Sequence, residues 1–283
     1  MDLQKYQQEF VASLRSKSRA SATVIAYGQD INQLNDHLQK QDVSSVKDIT
    51  TAHLESFLTG LSKQNYTAKS ISRKINSIKT FFRYLSLQNL LTTNPSLTIV
   101  HPKIEAKLPR ILSQTEYRAL RDACREDNRI SAIVELFLQT GIRIGELANL
   151  SVSDAHDVTL TVAQFENHPP REIPLNRAAK TALAAYLSAR PKVKNPALFI
   201  TKTGRPFLIR NIRTAIDRYF KLAGIRDAKV NDLRHTFIAY HLASGASPVL
   251  ISKLVGHKRI STTEKYLDYI KDLPLEKVKL EEL

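Results

Sequence analysis

Three separated runs carry the residues whose types and spacing could do chemistry. They are Thr140-Gly141-Ile142-Arg143-Ile144-Gly145-Glu146-Leu147, Asn231-Asp232-Leu233-Arg234-His235, and Gly256-His257 followed by Ser261-Thr262-Thr263-Glu264-Lys265-Tyr266. Each alone is a common surface or packing feature. Together they supply two arginines, an imidazole and a phenol, the set needed to break a phosphodiester without metal or nucleotide. A nucleophile must attack phosphorus, and fixed cations must stabilise the charge that gathers on the nonbridging oxygens. Arginine suits that task because its planar fork bonds phosphate oxygens bidentately and keeps its charge. A phenol that becomes a phosphodiester conserves the bond energy for rejoining, so no cofactor is expected. Cys124 is the only cysteine and lies in a polar run without a neighbouring histidine, which excludes an intrachain disulfide and a cysteine-based zinc site. His235 and His241 are six positions apart, about 240° around a helix, and make no metal pair.

The elements that must position this set read as mainly α with a small β-hairpin. Residues 1 to about 92 are expected to form a helical domain. Within it Ile71, Ile75, Ile78, Phe82 and Leu85 recur at helical spacing and define one buried face. The same segment carries Lys69, Arg73, Lys74, Lys79 and Arg83 among Ser, Asn and Thr with no carboxylate, as expected of a surface that follows a phosphate backbone. Asn94-Pro95, His101-Pro102 and Leu108-Pro109 interrupt the pattern, so residues 93–110 are expected to be a linker, made basic by Lys103, Lys107 and Arg110. Residues 111–283 then form a second domain with a C-terminal tail. Ser113-Gln114-Thr115-Glu116 has the form of a capping box that opens a helix through about Cys124, and another helix is expected over 129–139. Short strands are expected at 158–160 and 171–175, joined through Asn167-His168-Pro169-Pro170, with a further short strand at 198–200 and helices from about 210 onward.

Composition narrows the partner. Lys and Arg number 42 against 27 Asp and Glu, a formal charge of +15 that favours a polyanion. No apolar run approaches the about 20 residues that span a bilayer, and the first residues carry mixed charge rather than a secretory h-region. A cytoplasmic setting is expected.

The order and spacing of the three runs resemble the tyrosine site-specific recombinase, or phage integrase, family of the Xer kind. The carriers are Arg in a Thr-Gly-x-Arg-x-Gly-Glu-Leu turn, the later x-x-Leu-Arg-His, and Gly-His with a tyrosine nine positions after the histidine. The resemblance extends to Thr23–Phe82 through Tyr27-x-x-Asp30 and Ser70-Ile71-Ser72-Arg73. It implies a helical core-binding domain joined to a mixed α/β catalytic domain, the two forming a C-shaped clamp around duplex DNA. It also implies a homo-tetramer on paired sites, in some members with a second recombinase. Carried over, it makes Arg143 and Arg234 the phosphate clamps, His257 a donor to the same phosphate, Tyr266 the nucleophile and Glu146 the acidic residue that supports them. The reaction implied is cutting and rejoining of DNA through a 3′-phosphotyrosyl link, for chromosome-dimer resolution or for integration and excision.

Two positions depart from the family's pattern. Asn231 stands where the family usually has a histidine three residues before its second clamp arginine. The family's hairpin lysine, acid for the leaving 5′ oxygen, is also missing. With Arg171-Glu172-Ile173-Pro174-Leu175 aligned to the family's basic-x-apolar-Pro-Leu strand, its place falls near Glu166, and no lysine occurs from Asp154 to Pro174. His168 is the nearest group in that turn with a suitable pKa, about 6.5 when unperturbed. His235, four residues after Asn231, would lie on the same side of a helix. Besides an active recombinase, the residues leave open a cleavage-impaired DNA-binding relative acting as architectural or partner subunit, and a nicking enzyme of the topoisomerase IB kind.

Overall fold

A computed structural model of the chain describes residues 2–17, 19–105, 108–166 and 168–271. Lys107, Asn167 and the expected C-terminal tail after residue 271 lie outside the described residues. Contacts divide the chain into two compact units, Met1–Ala106 and Lys107–Leu283. Both are built mainly from helices, and among the described residues the strands form one antiparallel two-stranded sheet, in the second unit.

The first unit contains α1 (Asp2–Ser16), α2 (Ser21–Gln39), α3 (Thr51–Lys63) and α4 (Ala68–Leu87), with a short 3₁₀ turn at Val46–Asp48. Thr67 caps α4 by accepting from the Ser70 backbone N–H, and Ile71, Ile75, Ile78, Phe82 and Leu85 are buried as their spacing predicts. They meet Ile31, Leu34 and Leu38 of α2 and Leu54 and Phe57 of α3 in one apolar core.

The cationic face of α4 departs from the expected pattern at Lys74. Lys69, Arg73 and Arg83 are exposed and Lys79 is half-buried, but Lys74 is only 5% exposed. Lys74 lies three residues after Ile71 and four before Ile78, which places it on the apolar stripe rather than opposite it. Its Nζ donates to Asp30 Oδ1 (2.9 Å) and Gln33 Oε1 (2.6 Å) of α2. The same buried carboxylate accepts from both terminal nitrogens of Arg73 and from Ser77 Oγ (2.9 Å). A buried charge is tolerated when it is paired and its remaining hydrogen-bonding capacity is filled, and Asp30 meets both conditions. Asp30 and Arg73, which carried the family likeness here, therefore meet as a structural ion network, and Lys74 is unavailable to DNA.

The second unit contains α5 (Gln114–Cys124), α6 (Asn128–Thr140), α7 (Ile144–Ala148), β1 (Thr159–Val162), β2 (Arg171–Pro174), α8 (Arg177–Ala189), α9 (Ile209–Leu222), α10 (Val230–Ala243), α11 (Pro248–Val255) and α12 (Ser261–Ile270). The expected capping box is formed: Ser113 N–H donates to Glu116 Oε2 (2.9 Å) and Glu116 N–H to Ser113 Oγ (3.2 Å). Arg110, one of the expected linker cations, is spent on the other oxygen of that carboxylate at 2.7 Å. Residues 177–189, for which the patterning makes no prediction, form the alanine-rich α8 under an Asn176 cap. The strand expected at 198–200 is reduced to single bridges, Ser151 with Ala197 and Ile200 with Pro206.

Helix α6 is buried along most of its length, against α8 on one side and α10 on another; α10 in turn packs on α11 and α12. Strands β1 and β2 pair from Thr159 with Pro174 to Val162 with Arg171, and Leu160, Val162 and Ile173 point into the core. The turn between them is closed by Phe165 and His168, whose backbone groups bond in both directions.

Candidate active site

The centre of the site is the C-terminal end of α11. The last carbonyls of a helix have no partner within it and carry the negative end of its dipole. Here they are taken by three guanidinium groups. Arg171 Nε donates to Leu254 O (2.7 Å), Arg143 Nη1 to Val255 O (3.0 Å) and Nη2 to Gly256 O (2.7 Å), and Arg234 Nη2 to Val255 O (2.7 Å). Arg234 also donates to Gly141 O, the carbonyl that ends α6. Gly256 closes α11 at φ +67, and a Cβ there would stand 2.9 Å from Arg171 Nη1 and 3.3 Å from Arg143 Nη1. Any side chain at this position would push the arginines off the helix end.

Glu146 binds two of the three together. It accepts from Arg171 Nη1 and Nη2 (2.9 and 2.7 Å), from Arg143 Nη1 (3.0 Å) and from the Arg143 backbone N–H (3.0 Å). Burial pushes its carboxyl pKa up, but the Arg171 bonds, the backbone donor and the two positive charges outweigh that and hold it at about 2. Arg234 is only 7% exposed, and desolvation with Arg143 nearby brings its pKa down to about 9, so it remains charged at neutral pH. By donor count Arg143 and Arg234 each keep N–H groups beyond those spent on the scaffold. One carboxylate against three guanidiniums leaves a local excess of positive charge, suited to an anion.

His257 follows Gly256 directly, and its Nδ1 lies 2.7 Å from Thr263 Oγ1. Burial, with the charges of Arg234 and Arg143, drives its pKa to about 3, so the ring is neutral at pH 7. Tyr266 sits on α12, buried at 7% exposure, with Oη 2.6 Å from His235 Nδ1. Desolvation lifts its phenol to about 12, opposed by the Arg234 charge. Tyr269, one turn on, lies edge-to-face against it at 6.1 Å between ring centroids.

The hairpin turn reaches the same place. Gly145 is approached so closely by Phe165 that a Cβ would stand 2.7 Å from its ring. This contact sets the turn beside the Arg143 loop. His168 is half-buried there, its Nδ1 enclosed without a hydrogen-bond partner among the described residues. Its pKa is lowered by desolvation and then by Arg143, with smaller contributions from Lys258 and Arg234. Glu166 stands exposed in the same turn at φ 53.

Of the residues singled out from the sequence, Arg143, Glu146, Arg234, His257 and Tyr266 are thus brought together, with His168 at their edge. Asn231 is exposed in the first turn of α10, one helical turn before His235. Cys124 is buried, with its thiol pushed to about 12 mainly by desolvation and by Glu135, and it makes no nucleophile. Sequence patterning assigns no role to Arg171, Thr263 or Lys258 and no contact from His235 to Tyr266. The alignment of Arg171 with the family's basic strand position was the available signal for the first. No potential metal cluster of His, Cys, Asp or Glu exists among the described residues.

Comparison with known proteins gives this geometry a family. The model of the phage integrase family matches residues 110–271, more than half of the chain, and the phage integrase N-terminal SAM-like domain matches residues 8–89. The chain belongs to the phage integrase family. The tyrosine recombinase XerC of Listeria welshimeri is 28% identical over 282 residues, covering 95% of this chain and 94% of the relative. The tyrosine recombinase XerD of Rickettsia bellii is 29% identical over 275 residues, 89% and 90% of the two chains. Among solved structures, XerA recombinase is 26% identical with a TM-score of 0.53 over 96% of this chain and 99% of that one. A lambda integrase dimer bound to a COC′ core site shares the fold at a TM-score of 0.77 and 20% identity, covering 98% of this chain and 80% of that one. The activity of the family member described here is that of a tyrosine recombinase, site-specific DNA recombination.

Proposed function

We propose that Tyr266 attacks the scissile phosphate of a duplex recombination site, forming a 3′-phosphotyrosyl link and releasing a 5′ hydroxyl that later reverses the step. The observation that carries this reading is the gathering of Arg143, Arg234 and His257 at the end of α11, with Tyr266 of the neighbouring α12 beside them. The unspent N–H groups of both arginines bind the nonbridging oxygens, where charge grows in the transition state. Neutral His257 donates through Nε2 when Nδ1 accepts the Thr263 hydroxyl. Glu146 and Arg171 position the Arg143 fork. His168 protonates the leaving 5′ oxygen in place of the family's hairpin lysine; an arriving phosphate offsets the arginine charges that depress its pKa. Asn231, exposed at the start of α10, borders the site without a chemical part.

Residues 1–92 serve as the core DNA-binding domain, with Lys69, Arg73, Lys79 and Arg83 along the phosphate backbone, 93–110 as linker and 111–283 as catalytic domain. The working assembly is a tetramer on paired sites in the cytoplasm, with this chain alone or beside a second recombinase. That pairing draws on the similarity to both XerC and XerD, and on a lambda integrase tetramer solved on a Holliday junction.

The test is a covalent adduct on suicide substrates made from genomic sites that the chain selects. The wild-type chain and Tyr269→Phe should form it, and Tyr266→Phe should bind equally and form none. Adducts that persist in Tyr266→Phe and vanish in Tyr269→Phe would reassign the nucleophile.

A further inference from the structure

Tyr266 carries a phenol whose proton must leave as its oxygen bonds to phosphorus, and burial makes that proton hard to remove. The position from which the family's histidine would face the reaction is held by Asn231, which cannot act as a base in water. One turn further along α10, on the same side of the helix, stands His235. Its Nδ1 is 2.6 Å from Tyr266 Oη, with the two ring centroids 5.9 Å apart. This is hydrogen-bond length for a phenol and an imidazole, within one unit of the fold.

The geometry points to His235 as the general base of this recombinase, receiving the proton of Tyr266 as the tyrosine attacks DNA and returning it when the strand is rejoined. The inference rests on the assignment of Tyr266 as nucleophile. In the forward step the Oη–H bond breaks, the proton passes to Nδ1, the Oη–P bond forms and the P–O5′ bond breaks, the 5′ oxygen taking its proton from the acid on the hairpin side. In the reverse step the 5′ hydroxyl gives its proton back to the group on the hairpin side, the O5′–P bond forms and the Oη–P bond breaks, and the departing phenolate recovers its proton from the imidazolium.

The surroundings suit both states of the ring. Desolvation, with Arg234 adjacent in sequence, lowers the His235 pKa, so the resting ring is neutral and can accept. Asp232, one turn earlier on α10, opposes that shift and favours the imidazolium once it forms. Across from α10 the groups that face the ring are Tyr266 of α12 and His257 of the α11–α12 connection, both uncharged before reaction. Function thus moves one helical turn, from residue 231 to residue 235, and stays on one face.

The experiment compares adduct formation by the full chain, His235→Ala and His235→Gln on the suicide duplex under single-turnover conditions, from about pH 6 to pH 9, with DNA affinity measured alongside. At pH 7 both variants should react about 10²- to 10⁴-fold more slowly with affinity unchanged. Their deficit should shrink roughly tenfold per pH unit as hydroxide replaces the missing base. His235→Gln guards against mere positioning, and against an unstable alanine variant, because its carbonyl accepts the phenol's hydrogen bond but cannot hold the proton. A glutamine variant as fast as wild type, or a deficit that is constant across pH, overturns the base assignment. If the wild-type adduct maps to a residue other than Tyr266, the nucleophile assignment falls first and this one with it.

Discussion

At the scale of single residues, the site is an electrostatic compromise: three guanidiniums are held close by one carboxylate and by helix carbonyls. Glu146 carries much of that compromise. Its folded pKa of about 2 lies below the ordinary 4.5, so the stabilisation is fully present above pH 4.5 and is lost as pH falls toward 2. A shift of this size corresponds to about 3 kcal/mol. Thermal unfolding between about pH 6 and pH 3 should show a steep acid limb that Glu146→Gln flattens, while the variant is already less stable at neutral pH. His168 is tested through the leaving group. With a bridging sulfur at the scissile position no proton is needed, so His168→Ala should slow cleavage of ordinary DNA by about 10²- to 10⁴-fold and of the sulfur substrate hardly at all. If Lys258→Ala shows that selectivity instead, the exposed lysine whose charge reaches His168 is the acid. The motif arginines, Glu146, His257 and Tyr266 were legible because each sits in a short run with a family spacing. Arg171 was not, because its meaning lies in bonds to Glu146, 25 positions away, and to the end of α11.

At the scale of elements, local rules worked where local physics decides. The Ser113–Glu116 capping box, the apolar face of α4 and the hairpin ends beside Pro169 and Pro170 follow from sequence neighbours alone. The α4 cations did not read correctly throughout, since the partner of Lys74 is a carboxylate on α2 that no window along α4 contains. Asp30→Asn should therefore destabilise the N-terminal unit by about 3–5 kcal/mol, seen as an early unfolding transition, by leaving Lys74 buried with its charge uncompensated. The hairpin turn gives a functional counterpart. Gly145→Ala places a methyl within 2.7 Å of the Phe165 ring and displaces the turn that carries His168. Adduct formation should fall about 10-fold or more on ordinary DNA and much less on the sulfur substrate, with a melting temperature changed by only a few degrees. Equal loss on both substrates would mean that the methyl disturbs Arg143 rather than the turn.

At the scale of the whole molecule, charge and chemistry are separable. On the proposed reading, the formal +15 and the exposed cations of α4 set how strongly DNA is held, whereas the end of α11 sets what happens to it. Neutralising roughly six phosphates gives a log–log salt dependence of affinity with slope about −5. Lys69→Ala with Arg83→Ala, both exposed side chains, should make that slope shallower by about 2 while the adduct still forms on whatever DNA remains bound. Lys74→Ala should behave differently despite removing the same charge from the same helix: the salt slope stays as it was and the loss appears as reduced stability, because Lys74 is spent on Asp30 and Gln33. Affinity titrations across about 50 to 200 mM salt, paired with unfolding curves for the three proteins, decide this. A shallower slope for Lys74→Ala at full stability would mean that the helix turns Lys74 outward on DNA and that the ion network on α2 opens there.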